Sequence, residues 1–143
     1  MTLEWLAGFF DGEGCISSAR GVQRSPNPRV TLGNTHQGVM DEVKAFLGER
    51  CKKGSYRTRT KNDGRRTMYL VYFDCAADVQ LILELLAPHL HVKQEQAFVA
   101  IEMARRINER IGCVGTSRVI SDRELLIRHK LDEALSRLNG GSQ

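Results

Sequence analysis

"LEWLAGFFDGEGCI", residues 3–16, changes character halfway, and the change marks the first boundary of the fold. Leu3, Trp5, Leu6, Ala7, Phe9 and Phe10 are apolar on every side of a helix, and a helix apolar all round is covered all round. Thr2 is placed to cap its start, Glu4 suits the positive end, and Gly14 is placed to stop it. Asp11 and Glu13 fall where the last carbonyls already concentrate negative charge, so something must compensate them. Gly8 and Gly12 stand one turn apart, a spacing that lets two helix backbones approach closely. Two arrangements satisfy it: a second copy of the helix packed against the first, or burial inside one domain with neighbouring side chains filling the space over the glycines. In the first arrangement two Glu13 carboxylates meet at the helix ends. Divalent cations with oxygen ligands, above all Mg²⁺, are the natural compensation.

Outward from this helix the chain alternates cleanly. "CISSARG" from Cys15 is extended, a loop carries Pro26 and Pro28, and "RVTLGNT" is a second strand. "HQGVMDEVKAFLG" sets Val39, Val43, Phe46 and Leu47 at helical spacing, with Gly48 at its end. "GSYRTRT" and "TMYLVYFDC" flank an Asn-Asp-Gly turn and read as a hairpin. Three helices follow: an apolar one closed by Pro88, a long amphipathic one ending at Gly112, and a last one capped by Ser121 with Glu124 three residues on.

The fold class is therefore α+β, with order αββαββα and further C-terminal helices. The expected domain is residues 1–138, with 139–143 a disordered tail. Four strands should form one antiparallel sheet with helices on one face. The free face would carry Arg57, Arg59 and Lys61 of one strand, Arg29 and Thr31 of another, Cys15 and Ser17 of a third, and Tyr69 and Val71 of the fourth. Such a surface suits the major groove of duplex DNA, where arginine reads guanine.

Charge supports a polyanion partner. The net charge is +4, distributed as −3 over residues 1–19, +8 over 20–66 and −1 over 67–143. A basic middle beside a small acidic cluster fits a polyanion gripped by one region and acted on by another; a solvated basic surface is the plainer alternative. With 41% hydrophobic and 27% charged residues the composition is that of a soluble globular protein, and no apolar run approaches the ~20 residues that span a bilayer. The start shows no basic-then-apolar leader, and the four cysteines form no C-x-x-C pair. The expectation is an intracellular protein with reduced thiols, not secreted and not bound to a membrane.

"LAGFFDGEG", residues 6–14, resembles the LAGLIDADG motif of homing endonucleases: Leu6, Ala7, Gly8, Asp11 and Gly14 match, and Glu13 replaces the second aspartate. "PHLHVKQEQA", residues 88–97, is similar to a second segment of the single-motif members. The resemblance covers about residues 3–112 and implies a saddle-like sheet and a homodimer joined through Leu6, Gly8, Phe9, Asp11 and Gly12. It implies Glu13 as the metal-binding catalytic acid, assisted by the Gly12 carbonyl, with Asp11 holding backbone amides where the helices meet. Lys93 would sit near the scissile phosphate, and Asn34 would orient water. A further basic residue usual early in the next helix is missing, since Gly38 and Val39 stand there. Ser17, Arg20, Arg24, Arg29, Thr31, Arg57, Arg59, Lys61, Arg65, Arg66 and Tyr69 would contact double-stranded DNA. The implied cofactor is Mg²⁺, with Mn²⁺ as a substitute and Ca²⁺ supporting binding alone. The implied activity is double-strand cleavage of a long pseudo-palindromic site with 3′ overhangs. The gene would belong to a mobile intron in a chloroplast, mitochondrion, bacterium or phage. An RNA maturase assisting an intron RNA and a catalytically dead DNA-binding regulator use the same scaffold and remain alternatives.

Overall fold

The computed structural model describes residues 1–20, 25–51, 56–62, 64, 66–115 and 119–140. Helix α1 (Leu3–Glu13) leads into strands β1 (Gly14–Arg20) and β2 (Pro26–Asn34). Helix α2 (Gln37–Gly48) leads into β3 (Tyr56–Asn62) and β4 (Thr67–Phe73), and α3 (Ala76–Leu86), α4 (Gln94–Asn108) and α5 (Asp122–Leu138) follow. A single 3₁₀ turn, Ala87–His89, carries Pro88 between α3 and α4.

Side-chain caps mark the start of three of the helices. The Thr2 hydroxyl accepts from the N–H of Trp5 at 3.1 Å, and Nδ1 of His36 does the same for Val39 at the start of α2. At α5 the Ser121 hydroxyl accepts from the N–H of Glu124. The Glu124 carboxylate does not complete a reciprocal capping box, because it is drawn to two arginines instead. Helix α4 stops four residues short of Gly112, and the turn after it holds both Arg110 and Gly112 at positive φ.

All strand neighbours are antiparallel, in the order β1-β2-β4-β3. The register sets the two faces. Ile16 lies opposite Val30, Val30 opposite Phe73, and Leu32 opposite Val71, and all five are buried. Leu6, Ala7 and Phe10 of α1, Val43 and Leu47 of α2, Val79, Ile82, Leu83 and Leu86 of α3, and Ala97, Ala100, Met103 and Ala104 of α4 complete the core over this face. Each large apolar side chain there contributes roughly 1.5–3 kcal/mol. Helix α5 packs on α4 and β1. Asp132 accepts from the Ser18 hydroxyl, and the Asn139 side chain donates to the Ile16 carbonyl at 2.8 Å. That bond ties Asn139, the residue after α5, to β1.

Val71 was expected on the free face, and Tyr69 with it. Both have the opposite phase: Val71 is buried opposite Leu32, and Tyr69, opposite Asn34, packs against the core. The open-face residues of β4 are Met68, Leu70 and Tyr72. A side-chain period of two means that a one-residue slip exchanges the faces completely.

Within the single chain helix α1 is covered on one side only. Leu6, Ala7 and Phe10 face the core, whereas Trp5, Gly8, Gly12 and Glu13 are exposed. Leu6, expected at a subunit interface, is fully buried within its own chain. A Cβ built on Gly8 or Gly12 would meet no atom within 4 Å, which removes the reading in which neighbouring side chains fill that space.

Candidate active site and nucleic-acid interface

Helix α1 passes directly into β1, so Glu13 and Gly14 mark both the helix end and the sheet edge. Gly14 is needed for room rather than for an unusual backbone. Its φ is −82°, and a Cβ there would lie 2.6 Å from the Phe10 ring.

Asp11 is compensated inside its own chain. One carboxylate oxygen accepts from the N–H of His91 at 2.7 Å; the other accepts from Val92 at 3.1 Å and Lys93 at 3.0 Å. These amides lead into α4, so the negative end of α1 meets the positive end of α4. The Lys93 ammonium donates to the main-chain carbonyl of Asp11 at 2.5 Å, which places a cation on the C-terminal turn of α1. Burial alone pushes the Asp11 pKa up. The amides of His91, Lys93 and Val92, with the Lys93 charge, outweigh it and hold the carboxyl below its ordinary value. The resemblance implies that Asp11 holds backbone amides; in the structure it accepts from those of residues 91–93.

Glu13 is different. It is exposed, and among the described residues its carboxylate takes no hydrogen bond or ion pair. One residue, Gly12, separates it from Asp11, whose carbonyl holds Lys93. Asn34 lies two residues beyond Leu32, the partner of Gly14, and so at the same end of the sheet as Glu13. Its Oδ1 accepts from the N–H of His36 at 2.8 Å, leaving the amide NH₂ as the group with donors to offer.

A divalent cation requires several hard oxygen donors. Among the described residues no group of three His, Cys, Asp or Glu side chains converges, and Asp11 is already occupied by amides. One chain thus offers the Glu13 carboxylate and the adjoining main-chain carbonyls, fewer oxygen donors than a divalent cation takes.

The open sheet face begins beside this site. Cys15 and Thr31 are opposite each other, as are Ser17 and Arg29, and Thr31 and Tyr72. Arg57, Arg59 and Lys61 occupy alternate positions of β3 opposite Tyr72, Leu70 and Met68. Arg20 ends β1, and Arg66 is exposed just before β4. Arg24 and Arg65 lie outside the described residues. Sequence reasoning missed Tyr72, whose ring lies 5.7 Å from the Arg29 guanidinium carbon. The strip "TMYLVYF" carries apolar or aromatic residues in both phases, so only pairing with β2 could separate them.

Sequence reasoning also missed the buried ion network behind β1. Glu124 and Arg128 of α5 are 3% and 6% exposed. Glu124 pairs with Arg128 at 3.1 Å and with Arg106 of α4 at 3.2 Å. Arg128 also donates to the carbonyls of Arg106 and Ile111 and to the Ser25 hydroxyl. The i to i+4 spacing of Glu124 and Arg128 was the available signal, but that pattern is far more common on solvated faces.

The LAGLIDADG-like domain family matches residues 1–128. DNA endonuclease I-CvuI of Chlorella vulgaris is 31% identical over 112 residues, an alignment spanning 72% of this chain and 63% of that protein. The crystal structure of I-CvuI with the I-CreI target, determined in the presence of Mg with the DNA not cleaved, superimposes with a TM-score of 0.74. Its identity is 21%, with coverage of 99% of this chain and 83% of that one. The archaeal intron-encoded homing endonuclease I-Vdi141I, solved with DNA, gives a TM-score of 0.75 at 19% identity, covering 95% of this chain and 82% of that one. A motif at the α1–β1 junction, a sheet open on one face and a family match over most of its length lead to one conclusion: this chain belongs to the LAGLIDADG family of homing endonucleases.

Proposed function

We propose that two copies of this chain form a divalent-metal-dependent, site-specific DNA endonuclease that cuts both strands of a long pseudo-palindromic duplex and leaves 3′ overhangs. The observation that carries this reading is the state of α1 in the single chain. Its outer face, with Gly8 and Gly12, is bare, and it ends in a carboxylate without a partner among the described residues. Packing that face against its two-fold mate brings both Glu13 carboxylates together and completes what one chain offers by half.

Glu13, with the Gly12 carbonyl, would hold Mg²⁺ between the subunits. When bound, the metal lowers the pKa of a coordinated water and screens charge on the leaving 3′ oxygen. Lys93 spends one of its three N–H donors on the Asp11 carbonyl and keeps the others for a phosphate oxygen or its attacking water. The Asn34 amide would orient that water from the adjoining strand end. Asp11 does not touch substrate; it fixes the end of α1, and hence Glu13, against α4. The open sheet face would follow the major groove. A strand of about 8 residues at ~3.3 Å each covers roughly 26 Å of duplex per subunit.

The test is the intronless allele of the host gene, supplied as a duplex spanning the joined exons. Wild-type protein with Mg²⁺ should cut it on both strands near the junction. Glu13→Gln should abolish cutting, while gel-shift affinity in Ca²⁺ stays within a few-fold. Cutting by Glu13→Gln at the wild-type rate would overturn the site. Tight, specific binding by the wild type without cutting would favour the DNA-binding regulator instead.

A further inference from the structure

Arg29 and Tyr72 lie on β2 and β4, the two inner strands of the sheet, and both belong to its open face. Arg29 pairs across with Ser17 and Tyr72 with Thr31, so the two side chains sit on a diagonal, within reach of long and aromatic groups. The guanidinium carbon stands 5.7 Å from the centre of the Tyr72 ring, a cation–π distance. Nε of Arg29 is shut off from solvent with no hydrogen-bond partner. Among the described residues the guanidinium also takes no ion pair. An arginine held this way has lost much of its torsional freedom while its terminal amino groups remain unspent.

We propose that Tyr72 is a specificity-determining residue: its ring holds Arg29 in one pose, and Arg29 so held reads a guanine in the major groove of each half-site. This rests on the reading of the open face as a duplex-DNA surface. Two features favour a base over a phosphate. The pair is on the inner strands, away from the sheet edges that run beside the phosphate walls. The ring restricts the guanidinium plane, which suits the fixed, bidentate geometry of guanine O6 and N7 more than a phosphate that can be approached from many directions. Ser17, opposite Arg29, and Thr31, opposite Tyr72 on β2, are neutral hydroxyls, while on β3 the position opposite Tyr72 is Arg57.

The experiment is selection of bound sequences from a randomised duplex library in Ca²⁺, with wild type, Arg29→Lys, Tyr72→Phe and Tyr72→Leu. Wild type should enrich a two-fold symmetric site with one guanine per half-site that Arg29→Lys no longer requires. Tyr72→Leu should reduce the preference at that same position by about tenfold or more and leave the other positions as they were. Tyr72→Phe keeps the ring face and should retain the wild-type profile. A Tyr72→Leu profile identical to wild type overturns the proposal, as does equal weakening at every position, which would mark a backbone contact. Thermal unfolding of each variant identifies one that has failed to fold; Arg29→Lys, which leaves the aromatic packing in place, then decides alone. Enrichment of no sequence by the wild type would instead remove the underlying DNA-binding reading, and this proposal with it.

Discussion

Asp11 shows how a residue's role follows from which groups reach it. Its two oxygens receive three amide hydrogens from a segment about 80 residues away. Asp11→Ala leaves those amides unpaired and should cost about 1–3 kcal/mol in urea denaturation. The folded pKa is depressed, so the stabilisation is fully present above the unfolded value of about 4 and disappears as pH falls through the folded value. The gap between wild type and Asp11→Ala should therefore be constant from neutral pH to about 5 and close in stronger acid. The thiols give a second test. Cys15 is exposed on the open sheet face, whereas burial, with Asp78 and Cys75 nearby, pushes the Cys51 thiol up to about 11. At neutral pH a maleimide should label Cys15 well before Cys51, and specific duplex should protect Cys15 while mass spectrometry still finds Cys113 labelled. At this scale the sequence was partly legible: "LAGFFDGEG" isolates Glu13, but the partners of Asp11 are set by tertiary folding that no local spacing encodes.

Whole elements were more legible than their faces. The run of helix, two strands, helix, two strands and three helices follows from periodicity and turn residues, because each period is fixed by backbone geometry. The phase of β4 did not follow, since Tyr69, Val71 and Phe73 compete with Met68, Leu70 and Tyr72 on nearly equal terms. The role of α5 was hidden as well, because an i to i+4 pair looks the same in sequence whether wet or dry. Burial changes its energetics: Arg128→Ala removes one of the two cations on Glu124 and frees two carbonyls. The expected loss is about 3 kcal/mol, at the low end of the range because Glu124 keeps Arg106. Combining Arg128→Ala with Glu124→Ala should cost clearly less than the two single losses added, which a double-mutant cycle by chemical denaturation would measure.

For the whole molecule the telling positions are Gly8 and Gly12, where the single chain has empty space. Gly8 is exposed, a Cβ there meets nothing within 4 Å, and Gly8→Leu gains helix propensity, by about 0.8 kcal/mol, so the folded subunit should keep or raise its melting temperature. It should nonetheless lose association, because the added side chain occupies the space a second backbone needs. Sedimentation equilibrium should give a dimer for the wild type and a monomer for Gly8→Leu, with cleavage lost in parallel. A variant that stays dimeric would overturn the packing of α1 on its mate.

The junction of Asp11 with residues 91–93 has a consequence for synthesis. A nascent chain leaving the ribosome presents its acidic motif before the amides that fix it, which are translated some eighty codons later. Until they emerge, the α1 terminus has neither its anchor nor the lysine that neutralises its dipole, and the glutamate has no defined position. If the proposed cleavage is right, an incomplete polypeptide would lack the fixed glutamate on which that cleavage depends.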